Sequence, residues 1–385
     1  MSRDKKNVAL LFWNTTLFFA AYNGMLPVFP PYIVFRGGTE QAVGLLVGLF
    51  SLSAVILRVY SAKLADHRGR KWLMGVAIFT CSTGPILYIF DFGLWYLALV
   101  RIYHAASLAA FMTASYTLLA DFSTEENRGR LFGLYGVVSG LAMAIAPALG
   151  QFVAVNFGYT AFFVATGLLG LVMIPGQILL KEPPVTTETE PIATVPFWDI
   201  LRNRWVLISS LGLFSVTMAL GALSSFLPLR ALQIGLTEMG LYFAAFSLMY
   251  MVSGYVAGTL SDKYGRKAVA VPSVLFISLG LLGLTQLGGY LVLITCGLLI
   301  GFGFGAVNTA LMALVMDKTT LAERSQSVSF LNNSFDLGMS SGAMLLGGVA
   351  ALSFSLLWTL LSVITLVGFA LILFALPKQK EEVLC

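Results

Sequence analysis

Twelve long apolar stretches follow one another along this chain and exclude an ordinary soluble fold. Each is close to the roughly 20 residues that a helix needs to cross a lipid bilayer. Hydrophobic residues make up 58% of the chain, and short charged or Gly/Pro-containing breaks separate the stretches. They lie near residues 8–35, 42–63, 72–91, 94–119, 131–155, 159–180, 205–231, 237–259, 268–287, 289–316, 327–350 and 353–376. Their continuous apolar character predicts helices, since the strands of a membrane barrel alternate apolar and polar residues.

The second half of the sequence repeats the first after a shift of 196 residues. The shift aligns Asp121 with Asp317 and Arg128 with Arg324. It superimposes Leu64, Asp66, Gly69, Arg70 and Lys71 on Leu260, Asp262, Gly265, Arg266 and Lys267. A repeat of this length indicates two copies of one structural unit. We therefore expect an all-α membrane protein with two similar halves, residues 1–181 and 205–385, joined by a flexible polar linker at 182–204.

The basic residues predict the orientation of the helices. All but four of the 23 Lys and Arg residues lie at the termini or in the even-numbered loops, and the exceptions are Arg36, Arg58, Arg101 and Arg230. By the positive-inside rule this side is cytoplasmic, so we expect an integral protein of the cytoplasmic (inner) membrane with both termini inside. The net charge of +5 follows from this topology, and no basic face with interleaved aromatic residues indicates nucleic-acid binding.

Catalytic and metal-binding patterns are absent from the sequence. There is no Walker pattern, no CxxC and no His-rich metal spacing, so we expect neither an enzyme nor a bound cofactor. Cys81 and Cys296 fall within predicted spans and Cys385 is the last residue, which leaves no pair placed for a disulfide.

Polar residues interrupt the first two spans. Tyr22 and Asn23 lie in span 1, where a polar group either bonds to a neighbouring helix or lines a water-filled cavity. Arg58 lies about 8 Å from the end of span 2 by helical rise. Its side chain either snorkels to the interface or pairs with an acid of the other half.

Span 4 carries the most deeply placed cation of the chain. Arg101 lies some six residues into the span, and His104 follows one turn later on the same side of the helix. A charge at this depth costs at least about 3 kcal/mol, so a functional role is the default hypothesis. A single histidine is either a packing residue or a proton relay, and the sequence leaves both open.

The second half contributes one deep acid. Asp336 is the only carboxylate well inside any predicted span, and Asn332 and Asn333 precede it on span 11. The polar neighbours indicate a wet cavity or a hydrogen-bond network. Asp336 either forms a structural pair with an arginine or takes part in coupling and substrate binding.

The repeated loop pattern resembles the signature of the major facilitator superfamily after spans 2 and 8. The signature begins with a glycine, which is Gly258 in the second copy and is replaced by Ala62 in the first. Arg101 matches the basic residue of the superfamily's span-4 signature, although His104 and Ala105 depart from its Gln and Gly. The run from Gly140 through Ala146-Pro147 to Gly150 is similar to the antiporter signature of span 5. The resemblance covers nearly the whole chain and extends to bacterial proton-coupled efflux members.

The resemblance implies the major facilitator fold, with two pseudo-symmetric six-helix bundles that rock around a central cavity as a monomer. It implies cytoplasmic latches that hold the outward-open state and comprise Asp66, Gly69, Arg70 and Arg130, with Asp262, Gly265 and Arg266 in the second half. It places Arg101, His104 and Asp336 in or near the cavity. Arg58 would meet Asp336 at an inner gate. The expected partners are a small-molecule substrate, protons and membrane lipids.

Two transport functions fit these residues. The first is proton-coupled export of small amphipathic compounds, for which aromatic spans and one buried acid are suitable. The second is proton-coupled import of a nutrient, an organic anion or a metal chelate, with Arg101 binding the anion. One deep acid, two arginines and one histidine are compatible with either.

Overall fold

The computed structural model describes residues 3–124, 126–182 and 197–375, and their backbone forms helices joined by short turns. The first half contains α1 (Arg3–Gly24), α2 (Phe29–Phe35), α3 (Glu40–Arg68), α4 (Arg70–Leu87), α5 (Leu94–Asp121) and α6 (Arg128–Leu179). The second half contains α7 (Phe197–Arg202), α8 (Arg204–Gln233), α9 (Gly240–Tyr264), α10 (Arg266–Leu284), α11 (Tyr290–Asp317), α12 (Leu321–Leu352) and α13 (Phe354–Ala375).

The described helices account for the twelve predicted spans. Nine of them are long and apolar enough to cross a membrane, and the pair α1 and α2, bent by 41°, makes ten when counted as one span. The 52-residue α6 loses helical geometry at Gly158, between the predicted spans 5 and 6, and so supplies two spans. The 18-residue α4 begins with two cations and occupies the third predicted span.

Local sequence determines where several of these helices begin and end. Gly69 and Gly265 each separate two consecutive helices. Their φ angles are 89° and 93°, a backbone conformation that residues with a Cβ atom disfavour. Each motif glycine therefore supplies a tight turn between two helices. Thr320 begins α12 with a capping box, in which its hydroxyl and the Glu323 carboxylate satisfy each other's backbone amides.

The chain divides into two units. Unit 1 comprises Met1–Val185 with Thr237–Ala244, and unit 2 comprises Thr186–Leu236 with Ala245–Cys385. Residues 183–196, most of the predicted linker, lie outside the described residues, as does Cys385. The domain boundaries at 181 and 205 therefore stay a prediction.

Each unit is a layered helical bundle. In unit 1, α1 packs along α6, and α5 packs against both α3 and α4. Phe18 and Phe111 stack at its centre with ring centroids 3.9 Å apart. In unit 2, α8 packs against α12 and α13, and α10 packs against α11 and α13. The contact between α1 and α6 in unit 1 is equivalent to the contact between α8 and α12 in unit 2, as expected for two halves related by a sequence repeat.

Glycines allow the backbones of neighbouring helices to touch at some positions but not at others. A Cβ on Gly150 would lie 2.4 Å from the carbonyl oxygen of Gly24, so α1 and α6 meet there with no side chain between them. On the same helix, a Cβ on Gly133 or Gly136 would meet no atom of the described chain within 4 Å. Of these three glycines of span 5, Gly150 alone serves close packing within unit 1.

Candidate functional site

Arg101 lies between two aromatic rings in the interior of unit 1. Its guanidinium carbon is 4.2 Å from the ring centre of Phe29 and 4.3 Å from that of Phe50, and the residue is 7% exposed. Its Nε donates a hydrogen bond of 3.0 Å to the carbonyl oxygen of Leu46. We call this arrangement the arginine cage. Helix α5 carries Arg101, α2 contributes the ring of Phe29, and α3 contributes the ring of Phe50 and the Leu46 carbonyl.

No carboxylate among the described residues forms an ion pair with Arg101. Its charge is stabilised instead by the faces of two rings and by a backbone dipole. Such cation–π contacts are worth about 2 kcal/mol when desolvated. That is less than the several kcal/mol that burial of a cation costs. The cage therefore keeps a positive charge that an anionic group would stabilise further.

His104 packs directly beside the arginine cage. Its ring meets Phe50 edge to face at 5.6 Å, and its Nδ1 lies 3.3 Å from the hydroxyl of Tyr88. A Cβ on Gly84 would be 2.7 Å from the imidazole, so α4 leaves room for this ring only because residue 84 is glycine. The packing role of His104 is thus accounted for, and the relay role stays a prediction.

Tyr88 was not singled out by the sequence. It is fully buried, and its backbone carbonyl accepts a hydrogen bond from the hydroxyl of Tyr32. Arg36 donates from Nε to the same hydroxyl at 2.7 Å and forms an ion pair of 2.5 Å with Asp91. An aromatic and charged network therefore joins the ends of spans 1 and 3 next to His104. The only sequence signal was a cation just beyond predicted span 1 and an acid at the last residue of predicted span 3.

The polar residues of span 1 have different environments. Tyr22 stacks on Phe50 with 5.8 Å between ring centres, which places it against the arginine cage. Asn23 is 4% exposed and donates from Nδ2 to the carbonyl oxygen of Phe19 at 2.8 Å. Asn23 thus satisfies its amide on its own helix.

The predicted residues of span 11 lie in unit 2. Asp336 and Asn333 are half-buried on α12, and Asn332 is exposed. Their spacing of three and four residues places both amides on the same side of the helix as Asp336. Arg58 is half-buried on α3 in unit 1. The proposed pairing of Arg58 with Asp336 joins residues of separate units and stays a prediction.

The two motif copies build similar charge clusters. In unit 1, Arg70 Nε lies 3.7 Å from Asp121 Oδ2. In unit 2, Arg266 Nε lies 2.8 Å from Asp317 Oδ2, and Arg266 also pairs with Asp262. Asp121 and Asp317 are related by the sequence repeat. Each motif arginine therefore joins the start of one helix to the end of another within its own unit.

The two clusters differ in the acidic residues that lie near the motif arginine. Asp66 and Arg130, both predicted latch residues, are exposed. The carboxylate at the start of α4 belongs to Glu182, whose oxygens accept from the backbone amides of Arg70 at 2.7 Å and Lys71 at 3.2 Å. A helix N-terminus stabilises an anion in this position. The sequence assigned Glu182 to a flexible linker, so this contact corrects the expectation for the linker's first residue.

Replacing Gly69 by alanine is expected to lower the free energy of unfolding by about 1–3 kcal/mol, because its φ of 89° and ψ of 155° suit glycine almost alone. The new Cβ would also lie 2.9 Å from Glu182 Oε2 and displace that carboxylate. Unfolding in detergent measures the effect. Gly129→Ala is the control, since its Cβ would meet no atom of the described residues within 4 Å. Equal stability of the two variants would contradict the assigned turn geometry.

Groups of three or more His, Cys, Asp or Glu side chains that could hold a metal ion do not occur among the described residues. Cys81 and Cys296 are buried free thiols. The chemistry of the described part of the chain is therefore that of a caged cation, a neighbouring histidine and two arginine–aspartate clusters.

Nearly the whole chain matches one family model. The model of the Major Facilitator Superfamily covers residues 11–237 and again 210–384, one match for each half. The chain belongs to the major facilitator superfamily. It is an integral membrane transporter with the fold of that superfamily, as the resemblance of its loop motifs implies.

Relatives and solved structures agree with this assignment. The chain is 22% identical to the quinolone resistance protein NorA of Staphylococcus aureus over 358 residues, which covers 89% of this chain and 90% of NorA. It is 21% identical to an MFS-type transporter of Methanocaldococcus jannaschii, covering 91% and 92% of the two chains. A bacterial homologue of the human lysosomal transporter Spinster superimposes with a TM-score of 0.82 at 16% identity, over 97% of each chain. This last likeness concerns the fold alone.

Proposed function

We propose that this transporter exports small amphipathic compounds across the cytoplasmic membrane in exchange for protons. The similarity to a quinolone resistance protein over nine-tenths of both chains supports this class of cargo. The arginine cage supports it as well, because aromatic rings around a buried cation suit a flat apolar molecule with one polar group. The protein would act as a monomer, as the superfamily resemblance implies. Both termini would lie in the cytoplasm, as the distribution of basic residues predicts.

We assign the transport roles residue by residue. Arg101, His104, Tyr22 and Asn23 would line the unit 1 side of the cavity. Asp336 would carry the proton, with Asn332 and Asn333 as its polar neighbours on the unit 2 side. Because a carboxylate in an apolar span is expensive when charged, substrate binding and protonation would compete there.

The latch roles form a second part of the proposal. The cytoplasmic latches would comprise Asp66, Gly69, Arg70 and Arg130 in unit 1, and Asp262, Gly265 and Arg266 in unit 2. Arg58 would close an inner gate on Asp336. In each unit the motif arginine already binds an aspartate at a helix end, so a latch could form without rearranging its own cluster.

Proton-coupled import of an organic anion, a nutrient or a metal chelate is the second candidate. It is favoured by the lack of a carboxylate partner for Arg101 among the described residues. A substrate carboxylate could supply the missing negative charge. The two candidates predict opposite directions of proton movement relative to substrate, so one assay separates them.

Proton flux in liposomes tests both candidates. Purified protein is placed in vesicles with a trapped pH indicator and an imposed proton gradient, and lipophilic cations, aromatic carboxylates, nucleosides and sugars are added in turn. Export by exchange predicts protons moving opposite to an amphipathic compound, with coupling lost in Asp336→Asn and kept in the control Glu126→Gln, an exposed acid. Protons moving together with an anion would establish the importer instead. No proton movement with any compound would refute proton coupling.

A further inference from the structure

A groove runs over the surface of unit 1 between α4 and the last part of α6. It consists of two cavities of about 610 Å³ and 250 Å³. Both are lined by Gly75, Phe79 and Gln177, so they form one continuous depression. The arginine cage is not part of its lining. Nothing in the proposed transport mechanism uses this surface.

One end of the groove is basic. Arg68 and Lys71 line it, and the Arg68 guanidinium lies 5.3 Å from the ring centre of Trp72. Glu182 also lines this end, but its carboxylate is turned onto the backbone amides of Arg70 and Lys71. The Lys71 ammonium donates to the carbonyl oxygen of Ile178 at 3.0 Å, a neutral partner that leaves its charge uncompensated. The net charge of the side chains at this end is therefore positive. By the positive-inside rule this is the end predicted to lie at the cytoplasmic surface.

The other end is apolar. Phe79, Leu171 and Ile174 line it and are 63%, 51% and 39% exposed. The two hydroxyls in this part are already paired, because Ser82 donates to the carbonyl oxygen of Gly167 and Thr83 to that of Phe79. This end thus presents hydrocarbon to its surroundings and offers no free hydroxyl donor to a polar ligand.

The length of the groove corresponds to one leaflet of the bilayer. Lys71 and Thr83 are twelve residues apart on α4, which is about 18 Å of helical rise. Half of a hydrocarbon core of about 30 Å is about 15 Å. An acyl chain whose headgroup lies at Lys71 would therefore follow the groove to the region of Thr83, near the middle of the membrane.

We propose that this groove binds one anionic phospholipid, with its phosphate between Arg68 and Lys71 and an acyl chain along Phe79 and Ile174. Two cations beside an interfacial tryptophan favour an anionic headgroup. A zwitterionic lipid is disfavoured because the one acid at this end, Glu182, is engaged by α4 and does not face a headgroup ammonium. The exposed apolar side chains of Phe79 and Leu171 lie along the groove on helices predicted to span the bilayer, which favours a lipid over a soluble phosphate.

Quenching of Trp72 tests the proposal. Full-length protein is placed in zwitterionic vesicles with increasing fractions of anionic or zwitterionic phospholipid brominated near the glycerol end of its acyl chains. Bromine quenches tryptophan at short range, and subtraction of the Trp72→Phe signal isolates Trp72 from the other five tryptophans. We expect half-quenching of Trp72 at a lower fraction of the anionic lipid, by about fivefold for each of the two cations.

Matched variants separate the groove from the general surface charge. Arg68→Gln and Lys71→Gln should each lower the anionic preference about fivefold or abolish it. Lys63→Gln removes an exposed cation that does not line the groove and should change nothing. Equal effects of Arg68→Gln and Lys63→Gln would overturn the proposal, because the preference would then be a property of the membrane surface potential.

A second pair of variants tests the apolar part. Gly75 lines both cavities, and a Cβ there would make an ordinary contact of 3.5 Å with Gln177 Nε2. Gly75→Ala should therefore leave quenching intact, whereas Gly75→Leu fills the junction and should reduce it severalfold. Unchanged quenching in Gly75→Leu, or displacement of the brominated lipid by inorganic phosphate alone, would refute an acyl chain in the groove.

Discussion

Replacing Gly342 by alanine is expected to lower the free energy of unfolding by about 3 kcal/mol, the upper end of the usual range for overpacking. A Cβ at this position would lie 1.9 Å from the carbonyl oxygen of Met218, far inside the van der Waals distance. The obstacle is backbone of α8 and not the end of a flexible side chain, so the two helices must separate. Separation removes dispersion contacts along the whole contact between α8 and α12, which no hydrophobic effect replaces within lipid.

A second close approach of the two backbones lies in the same contact between α8 and α12. Gly221, on α8, would place a Cβ 2.0 Å from the carbonyl oxygen of Met339 on α12. Backbone therefore meets backbone at two points of the same contact, so relief of the clash requires the two helices to move apart. Unfolding in detergent, followed by the fluorescence of the fully buried Trp358 in unit 2, measures the loss.

Gly348→Ala is the matched control on the same helix. Gly348 is exposed, and a Cβ there would meet nothing within 4 Å. Alanine is favoured over glycine inside a helix by about 0.5–1 kcal/mol, so this variant should be neutral or slightly stabilising. Opposite signs for two Gly-to-Ala changes six residues apart would establish the close approach. The same sign and size for both would contradict it.

The contrast between these glycines shows what the sequence could predict. The recurrence of long apolar segments was sufficient to predict the membrane spans, because the bilayer requires a similar minimum length of every helix that crosses it. The repeat placed Asp121 and Asp317 at equivalent positions, and both bind a motif arginine. A glycine that touches a neighbouring backbone cannot be distinguished by sequence from one that faces open space, since both read as small residues in an apolar run.

The candidate site was only partly accessible to sequence reasoning. Arg101 and His104 were identified because charge and polarity are rare in an apolar span. The rings of Phe29 and Phe50 that form the arginine cage were not identified, because 29 phenylalanines are spread over this chain and most positions suit a lipid-facing helix. Glu182 was also missed. Its capping role depends on the end of α6 lying beside the start of α4, which is a tertiary relation.

Replacing Arg101 by methionine is expected to reduce transport about 30-fold or more while the fold becomes no less stable. The loss follows from removing the only charged group of the cage, which would bind the polar or anionic group of the substrate. Truncating one partner of such a buried pair between protein and substrate costs about 2–5 kcal/mol, which is about 30-fold or more in affinity. Stability should hold or rise because methionine fills the space between Phe29 and Phe50 without a desolvated cation. Cation–π contacts contribute about 2 kcal/mol, which the penalty of burying the charge exceeds.

Arg101→Lys separates charge from geometry. It keeps the positive charge but lacks the planar group that lies between two rings and the Nε that donates to Leu46. We expect transport intermediate between the native protein and Arg101→Met if the charge itself binds substrate or directs protons. Transport as low as in Arg101→Met would show that the planar geometry is required as well.

Transport and unfolding must be measured on the same preparations, because the argument depends on their divergence. A cation in an apolar span carries a desolvation penalty that lowers stability. If the cation serves function, removing it should reduce activity without reducing stability. A structural cation behaves differently: its loss lowers stability, and transport falls with the amount of folded protein. If Arg101→Met unfolds more easily than the native protein and retains its activity per folded molecule, the arginine cage is a packing device. Lower activity per folded molecule at undiminished stability would place Arg101 in the transport cycle.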